Sequence, residues 1–560
     1  MHKIMTVTLK IASAQLNSHV GSLKTNIGKA YDVYERAKSD KVDILVLPEQ
    51  FIIGYPAEDL VLKPSALRDC KLYAEEFAKI TQNGPAVVFN LPWVENNKIY
   101  NSVLFMRDGI ISDIRHKHHL PNYGVFDEFR IFESGGLPEP IIFKGVKIGL
   151  PICEDLWRPG VASYLSKRGA EILISPNGSP WRRSALSERT ATLGRNIHNE
   201  GLPLVYVNQI GGQDELVFDG SSFSLSHDGK IVQALKSFVE DYDVSTWIKE
   251  SGLWICAKAR LEKQLSKSES DWRAITLGLA DYVNKNKFQS VLIGLSGGLD
   301  SAAVAAIAVD ALGPNKVWCV MMPSVYTSDE SLGDAQLCIS RLGCRYDIIP
   351  IKPAITAYEA MFDPLFKGQD VDLTEENLQS RARAIVLMGI SNKFGPMVVT
   401  TGNKSEMAVG YATLYGDMCG GFNPIKDIYK SKLFEICEWR NNNNLDDLLG
   451  GDRPIPSNIL NKPPSAELRL DQKDSDSLPD YKVLDDILFG LIELELTVEE
   501  IVQRGHTLED VKRIQNLLYV AEYKRRQAPP GVKIGIKNFG KDRRYPITNG
   551  YRDASHYKDK

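Results

Sequence analysis

The hydrophobic positions in the first half of the chain occur in short runs that end in turn residues. Residues 8–16, 42–49, 86–93 and 146–152 form such runs, and stretches of helix length separate some of them. Other runs follow one another through a tight turn, as around the dipeptide Asp108-Gly109, and an Asp-Gly turn is typical of a β-hairpin. Strands that meet both directly and through helices predict mixed sheets covered by helical layers.

The second half of the chain has a different pattern, in which strands and helices alternate. The apolar run 288–295 is followed by two glycines and by an alanine-rich helical stretch that ends at Gly313-Pro314. Two more apolar runs, 316–324 and 397–403, occur in the same setting. This alternation predicts a doubly wound parallel sheet, which binds ligands at the carboxyl ends of its strands.

A polar stretch at 261–270 separates the two patterns and has few side chains to bury. Neither half contains an internal repeat. We therefore predict four parts of the chain: a first domain over 1–262, a linker over 263–275, a second domain over 276–545 and a tail over 546–560.

The composition is that of an ordinary globular protein of 560 residues, with 43% hydrophobic and 25% charged residues. Lys and Arg number 67 and Asp and Glu 71, so the net charge of −4 offers no general attraction to nucleic acid or to an anionic membrane. No apolar run approaches the about 18 residues of a membrane span, and the N-terminus alternates like a strand rather than a signal peptide. The eight cysteines form no CxxC pair. We expect free thiols and a cytoplasmic protein that binds neither nucleic acid nor membrane.

Three reactive residues of the first half stand beside predicted strands. Glu49 ends the run 42–49, Cys153 follows the run 146–152, and Lys117 lies in the segment HKHHLPNYG. Each has an ordinary explanation by itself, since a cysteine at a strand end is most often a small buried hydrophobe. In this order, however, LPEQ, HKHHLPNYGVFDE and LPICEDLW resemble the nitrilase superfamily, and NGSPW and YVNQIGGQDELVFDGSSF resemble its glutaminase branch. The resemblance covers about residues 1–260 and implies an α-β-β-α sandwich.

The same resemblance implies a glutamate–lysine–cysteine triad that hydrolyses glutamine to glutamate and ammonia. Cys153 would be the nucleophile, because an amide is a poor electrophile that requires a thiolate. Glu49 would take the thiol proton and later activate water, and Lys117 would stabilise the oxyanion. The resemblance also implies that Glu128 orients Lys117 and that Tyr123 and Glu154 hold glutamine.

A metal site is the alternative for this region, because His116, His118 and His119 flank Lys117. On a strand, His116 and His118 would share one face while His119 pointed away. No cysteine or aspartate at ligand spacing completes a set. The pattern therefore favours the triad over a metal site.

The segment SGGLDS at 296–301 lies between a predicted buried strand and the start of a helix. Two glycines and an N-cap serine would suit an ordinary tight turn, whereas close backbone approach and free helix N–H groups would bind phosphate. The Gly-Lys-Ser/Thr of a Walker A loop is missing at the required spacing. SGGLDS resembles the PP-loop of the ATP pyrophosphatases, which have an adenine nucleotide α-hydrolase-like fold and adenylate an acceptor.

Further segments distinguish between acceptors, namely MPSVYTSDESLGDA, ENLQSRARAIVLM, TTGNKSEMAVGYATLYGDMCGGFNPIKDIYK and PPSAELRLDQKDSDSLPDY. They resemble NAD synthetases over about residues 265–545, and the whole chain resembles the glutamine-dependent NAD synthetases. This resemblance implies ATP-dependent amidation of deamido-NAD to NAD through an adenylate, as the final step of NAD biosynthesis. It also implies Mg²⁺, and a homo-oligomer in which a tunnel carries ammonia between the sites.

Residue roles in the second half are implied by the same resemblance. The residues expected at the ATP phosphates are Ser296, Gly297, Gly298, Ser301, Thr401, Lys430 and Ser465. The expected magnesium ligands are Asp300 and Glu406. The residues expected to hold deamido-NAD are Asn377, Arg381 and Asp417.

Asn377 and Arg381 lie one turn apart on a predicted helix. By itself this pair would be read as a solvated flank of that helix. The buried stripe beside the pair is predicted to consist of Leu378, Ala382, Ile385 and Gly389.

Two alternatives remain open. One is a PP-loop enzyme that acts on xanthylate or tRNA, although the near-neutral charge and the lack of an appended RNA-binding module weigh against tRNA. The other is a nitrilase-like scaffold without turnover, which the intact triad and Asp300 disfavour.

Overall fold

A computed structural model of the protein describes residues 7–465, 467–469, 472, 474–476 and 478–553. The chain divides into two compact units, Met1–Leu265 and Ser266–Lys560. The last part of the predicted tail, 554–560, lies outside the described residues. Among the residues that are described, no helix combines the length and the apolar character needed to cross a membrane.

The strands of the first unit are β1 (Thr8–Gln15), β2 (Ile44–Val46), β3 (Ala86–Glu95), β4 (Lys98–Arg107), β5 (Ile110–His116), β6 (Ile141–Phe143), β7 (Val146–Gly149), β8 (Ile172–Asn177), β9 (Leu204–Asn208), β10 (Ile210–Gln213), β11 (Leu216–Asp219), β12 (Phe223–Leu225), β13 (Ile231–Ala234), β14 (Asp241–Glu250) and β15 (Leu253–Lys258). Its α-helices are α1 (Leu23–Ser39), α2 (Pro64–Ile80), α3 (Val161–Lys167) and α4 (Ala185–Glu200).

These strands form two large sheets. One has the order β15-β14-β1-β2-β3-β4-β5, the other has the order β13-β12-β9-β8-β7-β6, and β10 and β11 pair separately. Parallel neighbours, such as β1 with β2 and β8 with β9, are mixed with antiparallel ones, such as β3 with β4. The predicted hairpin is confirmed, because β4 and β5 are joined at Asp108 and Gly109, both with positive φ.

The sheets bury both of their faces. Ile11 and Val46 share a core with Ile148 of the second sheet, whereas the next residue of β1, Ala12, packs with Phe77 of α2. Strands that are buried on both sides read as continuous apolar runs, which is what the sequence contains. Helices α3 and α4 cover the outer face of the second sheet, so the predicted α-β-β-α sandwich is confirmed.

The strands of the second unit are β16 (Val291–Gly294), β17 (Val317–Met321), β18 (Arg345–Ile348) and β19 (Met397–Val399). Its α-helices are α5 (Lys267–Lys285), α6 (Leu299–Leu312), α7 (Asp329–Leu342), α8 (Lys352–Phe366), α9 (Leu373–Phe394), α10 (Lys404–Val409), α11 (Lys430–Asn442), α12 (Ser457–Asn461), α13 (Tyr481–Ile492), α14 (Val498–Gln503), α15 (Leu508–Val520) and α16 (Glu522–Arg525).

The sheet of the second unit has the order β18-β17-β16-β19, and all of its strand pairs are parallel. Parallel strands need long crossovers, and helices supply them here, which confirms the predicted doubly wound sheet. The chain winds outward from β16 in both directions. The carboxyl end of β16 is therefore the switch point at which such sheets bind ligands.

The stretch predicted as a linker, 263–275, differs from this expectation because α5 begins within it. The hydroxyl of Ser266 caps this helix by accepting the N–H of Glu269 at 3.2 Å. Trp272 is fully buried, and its indole N–H donates to Asp310 at 2.9 Å. Residues 261–270 are polar because the first turn of α5 is not buried, whereas burial begins at Asp271.

The predicted buried stripe on α9 is confirmed at Ala382 and is wrong elsewhere, since Leu378 is only partly buried. Ile385 is 60% exposed and Gly389 is exposed as well. Two of the residues that are buried instead, Gln379 and Ser380, are polar. The amide of Gln379 donates to the carbonyl of Leu468 at 2.9 Å, and the spacing of apolar residues cannot predict such a contact. The buried residues of α9 are Gln379, Ser380, Ala382 and Ala384.

Candidate active sites

The first candidate site centres on the buried ammonium of Lys117, which directly follows β5. Its Nζ donates to Oε1 of Glu49 at 2.8 Å and to both carboxylate oxygens of Glu128, at 3.0 and 2.9 Å. Glu49 lies three residues beyond β2, so the ends of two strands bring these charges together. The structure thus brings Glu49, Lys117 and Glu128, three residues that the resemblance implied, together in one cluster.

Hydrogen bonds fix both oxygens of the Glu49 carboxylate. The amide of Asn101 donates to Oε1 at 2.7 Å, and the backbone N–H of Gly178 donates to Oε2 at 2.9 Å. The Tyr55 hydroxyl donates to Glu128 at 2.9 Å. Sequence reasoning missed Asn101 and Tyr55, because neither belongs to the strings that carried the resemblance.

Burial and charge act in opposite directions on the cluster. Burial lowers the pKa of Lys117, but Glu128 and Glu49 outweigh it and hold this pKa well above its ordinary value. Burial raises the pKa of Glu128 to about 7, against the opposing effect of Lys117. Lys117 therefore stays an ammonium group at neutral pH.

Cys153 follows β7 and begins a short 3-10 helix, Cys153–Leu156. Its φ of 43° lies in the left-handed region, which is uncommon for a non-glycine residue and is typical of strained functional positions. Its Sγ lies 3.6 Å from the hydroxyl of Ser179, which also bonds the Tyr206 hydroxyl at 2.7 Å. Burial, and then Glu49, raise the pKa of the Cys153 thiol well above its ordinary value, so the resting sulfur carries its proton.

Ser179 was missed as an individual residue, although it lies in the NGSPW segment. The two residues expected to hold glutamine do lie together: the Tyr123 hydroxyl donates to Oε2 of Glu154 at 2.9 Å. The other oxygen of Glu154 accepts from Arg158, also at 2.9 Å. Tyr123 itself is half exposed, so its ring is open to a ligand.

The rings of His116 and His118, two of the three histidines around Lys117, bond different partners. His116 bonds Ser102 at 2.7 Å and Glu95 at 2.8 Å, and His118 bonds the carbonyl of Gly135 at 2.7 Å. Across the described part of the chain, no group of three or more His, Cys, Asp or Glu residues is arranged to hold a metal ion.

The second candidate site is the loop 296–301, between β16 and the N-terminus of α6. The Ser301 hydroxyl accepts the N–H of Ser296 and donates to the carbonyl of Gly298, both at 3.1 Å. Gly297 has a φ of 79°, and a Cβ atom there would lie 2.3 Å from the carbonyl oxygen of Ser331. The loop therefore requires glycine at this position.

The Asp300 carboxylate of this loop lies near a second carboxylate and one ammonium. Nζ of Lys430 is ion-paired with Asp300 and lies 3.5 Å from Oε1 of Glu406, and Asn403 donates to Asp300 at 2.8 Å. Burial, and then Asp300, raise the pKa of Glu406 to about 8, because Lys430 compensates only part of the charge. The pKa of Lys430 is raised, since the two carboxylates outweigh the effect of burial.

Asp474 is a third acidic residue near this ammonium, and sequence reasoning missed it. Burial raises its pKa, Lys430 opposes this effect, and the Tyr481 hydroxyl donates to its carboxylate at 2.9 Å. Asp474 stands in a polar stretch that resembles an ordinary surface loop.

The residues expected to hold deamido-NAD are brought together by Thr413. Its hydroxyl donates to Asn377 at 2.8 Å, and its backbone N–H donates to Asp417 at 2.6 Å. Arg381 donates to the carbonyl of Leu414 at 3.3 Å, on the same loop. Burial raises the pKa of Asp417 to about 6.

Thr401 and Ser465 are the remaining residues expected near ATP. Thr401 follows β19, which is parallel to β16, so it lies at the same sheet edge as the glycine loop. The Ser465 hydroxyl instead donates to the carbonyl of Gln472 at 2.5 Å and accepts the N–H of Glu467 at 3.2 Å. Ser465 thus organises its own loop, and its contact with ATP stays a prediction.

Comparisons with known proteins cover both units. The family model "Carbon-nitrogen hydrolase" matches residues 10–246, and the family model "NAD synthase" matches residues 271–528. The chain is 45% identical to the glutamine-dependent NAD(+) synthetase of Rhodobacter capsulatus, over 98% of this chain and 100% of that protein. It is 41% identical to the glutamine-dependent NAD(+) synthetase of Xylella fastidiosa, with 98% and 100% covered.

One solved structure is similar over nearly the full length of the chain. It is the glutamine-dependent NAD+ synthetase of Acinetobacter baumannii in complex with adenosine diphosphate, with 37% identity and a TM-score of 0.78. The match covers 98% of this chain and 100% of that one.

Proposed function

Because the chain belongs to the family of glutamine-dependent NAD(+) synthetases, we propose that its second unit amidates deamido-NAD to NAD with ATP and that its first unit releases the ammonia from glutamine. The observation that carries this proposal is the buried cluster of Glu49 and Lys117 in the same unit as Cys153, with a phosphate-type glycine loop in the other unit. The first arrangement suits acyl transfer from an amide, and the second suits nucleotide chemistry.

The first half-reaction begins from the protonated thiol. Glu49 takes the proton of Cys153 as sulfur attacks the amide carbon of glutamine, and Lys117 stabilises the oxyanion that forms. Collapse of this intermediate, with transfer of the proton from Glu49 to the leaving nitrogen, releases ammonia and leaves a thioester. Glu49 then takes a proton from the water that attacks the thioester, and it returns this proton to the sulfur as glutamate leaves. Tyr123 and Glu154 hold the amino acid, and Glu128 keeps Lys117 oriented.

The second half-reaction is a displacement at phosphorus followed by amide formation. The nicotinate carboxylate of deamido-NAD attacks the α-phosphorus of ATP, which gives an adenylate and pyrophosphate, and ammonia then displaces AMP. The chain contributes position and charge. The residues that hold the phosphates are Ser296, Gly297, Gly298, Ser301, Thr401, Lys430 and Ser465, and those that hold the acceptor are Asn377, Arg381 and Asp417.

Asp300 and Glu406 would hold the magnesium ion that accompanies ATP. Carboxylate oxygens are the ligands of a hard cation, and Asp300 and Glu406 share the single ammonium of Lys430. When bound, magnesium would neutralise charge on the pyrophosphate leaving group. Lys430, which pairs with both carboxylates here, would then turn to a phosphate oxygen.

We further propose a cytoplasmic homo-oligomer whose domains span about 1–262 and 276–545. All eight cysteines are free thiols, which suits a reducing compartment. Exposed apolar side chains on α8 and α9 support self-association: Met361 is 67% exposed, Leu365 76% and Ile385 60%. Analytical ultracentrifugation tests the oligomer, and a monomer at all concentrations would contradict it.

Product analysis of the purified protein tests the proposed activity. The protein is incubated with ATP, Mg²⁺, deamido-NAD and glutamine, beside the same mixture with ammonium in place of glutamine. NAD, AMP and pyrophosphate are expected from both mixtures. Formation of NAD from ammonium but not from glutamine would contradict the proposed role of the first unit. Absence of pyrophosphate in both mixtures would contradict deamido-NAD as the acceptor.

A further inference from the structure

Asp155 lies two residues after Cys153 and is 1% exposed, and the reaction described above gives it no role. Its carboxylate accepts three backbone hydrogen bonds. Oδ2 accepts the N–H of Ile152 at 3.0 Å, and Oδ1 accepts the N–H groups of His118 at 3.1 Å and His119 at 2.7 Å. One carboxylate therefore joins two segments of the backbone that are distant along the chain.

Each of these segments carries a member of the triad. Ile152 immediately precedes Cys153, and His118 immediately follows Lys117. The regular strand β5 ends at His116, so His118 and His119 lie beyond it, and Cys153 opens a short 3-10 helix with a positive φ. Backbone bonds to Asn101 and Gly135 hold Lys117 from its own side, and the Asp155 carboxylate adds a direct link between this segment and the one that carries Cys153.

We propose that Asp155 is a positioning residue for the glutaminase reaction, which sets the place of the Lys117 ammonium relative to the sulfur of Cys153. This inference rests on the proposed function of the first unit. Lys117 must stand where negative charge develops on the attacked carbonyl, and preorganised charge of this kind acts through its exact placement. Asp155 acts through Lys117 and Cys153 and does not touch the substrate.

The hydrogen bonds explain why a carboxylate is required. Three N–H donors converge on two oxygens, so both oxygens of the side chain must act as acceptors. Burial raises the pKa of Asp155, and the N–H groups of His119 and Ile152 oppose this effect. The resulting pKa of about 6 leaves the carboxyl group ionised at neutral pH. An asparagine has the same shape, but it would turn a donor NH₂ group toward at least one backbone N–H.

The variant Asp155→Asn tests this role through the two nitrogen sources. We expect the glutamine-dependent kcat to fall by about 100-fold, because small misplacements of catalytic groups have effects of that size. The KM for glutamine is expected to stay close to that of the wild type, and NAD formation from ammonium should be unchanged. The rate at which a haloacetamide alkylates Cys153 should also change, since the charge near the sulfur moves.

The matched control is Asp243→Asn. Asp243 also accepts a backbone N–H across segments, from Arg260 at 3.1 Å, and it accepts from Gln233 at 2.7 Å. This control is expected to keep both activities. If Asp155→Asn does not fold, as judged by circular dichroism and a thermal melt, Asp155→Glu replaces it, because both acceptor oxygens then lie one methylene farther out.

Two results would overturn the proposal. An unchanged glutamine-dependent kcat in the folded variant would show that this link does not matter, and a raised KM with normal kcat would show that Asp155 serves glutamine binding instead. Failure of the proposed function itself is distinguishable, because then the wild-type protein would make NAD from ammonium but not from glutamine.

Discussion

The Nζ atom of Lys117 lies 2.8 Å from Oε1 of Glu49, and neither side chain is exposed to solvent. An isolated buried ion pair loses more by desolvation than it gains by attraction unless its other hydrogen-bonding groups are satisfied. Here Glu128 accepts from the same ammonium and Asn101 donates to the same carboxylate. The charges that the proposed glutaminase reaction needs are therefore paired and hydrogen-bonded within the first unit.

Replacement of the nucleophile separates the two half-reactions. Cys153→Ala is expected to lower glutamine-dependent NAD formation by about a thousandfold or more, because the thioester cannot form. Ammonium-dependent formation should persist, since the second unit is untouched. The half-buried Cys256, which bonds only weakly to the carbonyl of Lys258 at 3.7 Å, provides the control Cys256→Ala. Equal loss of both activities in Cys153→Ala would refute the two-site account.

The pH dependence of glutamate release reports on Glu128. The pKa of this carboxyl is raised to about 7, so it is ionised above that pH and gains a proton below it. Since the ionised form holds Lys117, we expect the kcat for glutamate release to be full above pH 7 and to fall as the pH drops through about 7. Glu128→Gln should be slow at every pH and should lack this acid limb. If the kcat of Glu128→Gln still falls as the pH drops through about 7, a group other than Glu128 is responsible for that fall.

The carboxylates beside the glycine loop are tested with Glu406→Gln, which removes one negative charge and keeps the shape. We expect NAD formation from glutamine and from ammonium to fall alike, by about 100-fold, because charge stabilisation at the phosphates is lost. Glutamate release should survive. Glu435→Gln is the control, since Glu435 is 58% exposed on α11. Unchanged pyrophosphate formation in Glu406→Gln would remove Glu406 from the site.

Gly297→Ala tests the shape of the phosphate loop. The added Cβ would lie 2.3 Å from the carbonyl of Ser331, and the φ of 79° costs an alanine about 1–2 kcal/mol. We expect the apparent KM for ATP to rise and pyrophosphate formation to fall sharply with either nitrogen source. Gly333→Ala should be neutral, because nothing lies within 4 Å of a Cβ there. Normal ATP kinetics in Gly297→Ala would contradict a rigid loop at the phosphates.

Arg381→Ala tests whether Arg381 binds deamido-NAD or ATP. We expect the KM for deamido-NAD to rise by about tenfold and the KM for ATP to change little, since a hydrogen bond to a charged group contributes about 1.5–3 kcal/mol. Steady-state kinetics with each substrate varied in turn provide the measurement. Lys393→Ala, an exposed change on the same helix, is the control. The reverse pattern would place Arg381 with ATP.

The pattern of the sequence predicted the elements that position both sites. Buried runs became β2, β7 and β16, and the residues after them, Glu49, Cys153 and the glycine loop, lie at strand ends as expected. The Asp-Gly turn gave the hairpin of β4 and β5. These features depend on neighbouring residues, because side-chain alternation and turn chemistry act over a few positions.

The pattern of apolar residues did not predict which polar side chains are buried. Buried polar residues of α9 replace part of the predicted stripe, and α5, with the buried Trp272, begins where a linker was expected. Apolar periodicity identifies a buried face only when that face is apolar. A buried amide such as Gln379 reveals itself only through its partner, which lies 89 residues away.

The sequence alone determined the two-part architecture and the doubly wound sheet of the second unit and, through its motifs, led to the prediction of the triad. Tertiary structure decided which residues hold that triad in place. Asn101 bonds Glu49 across 52 residues, and Asp155 bonds His119 across 36. Hydrogen bonds of this kind leave no local trace in composition or periodicity, because their partners meet only after the sheets have packed and brought distant strand ends together.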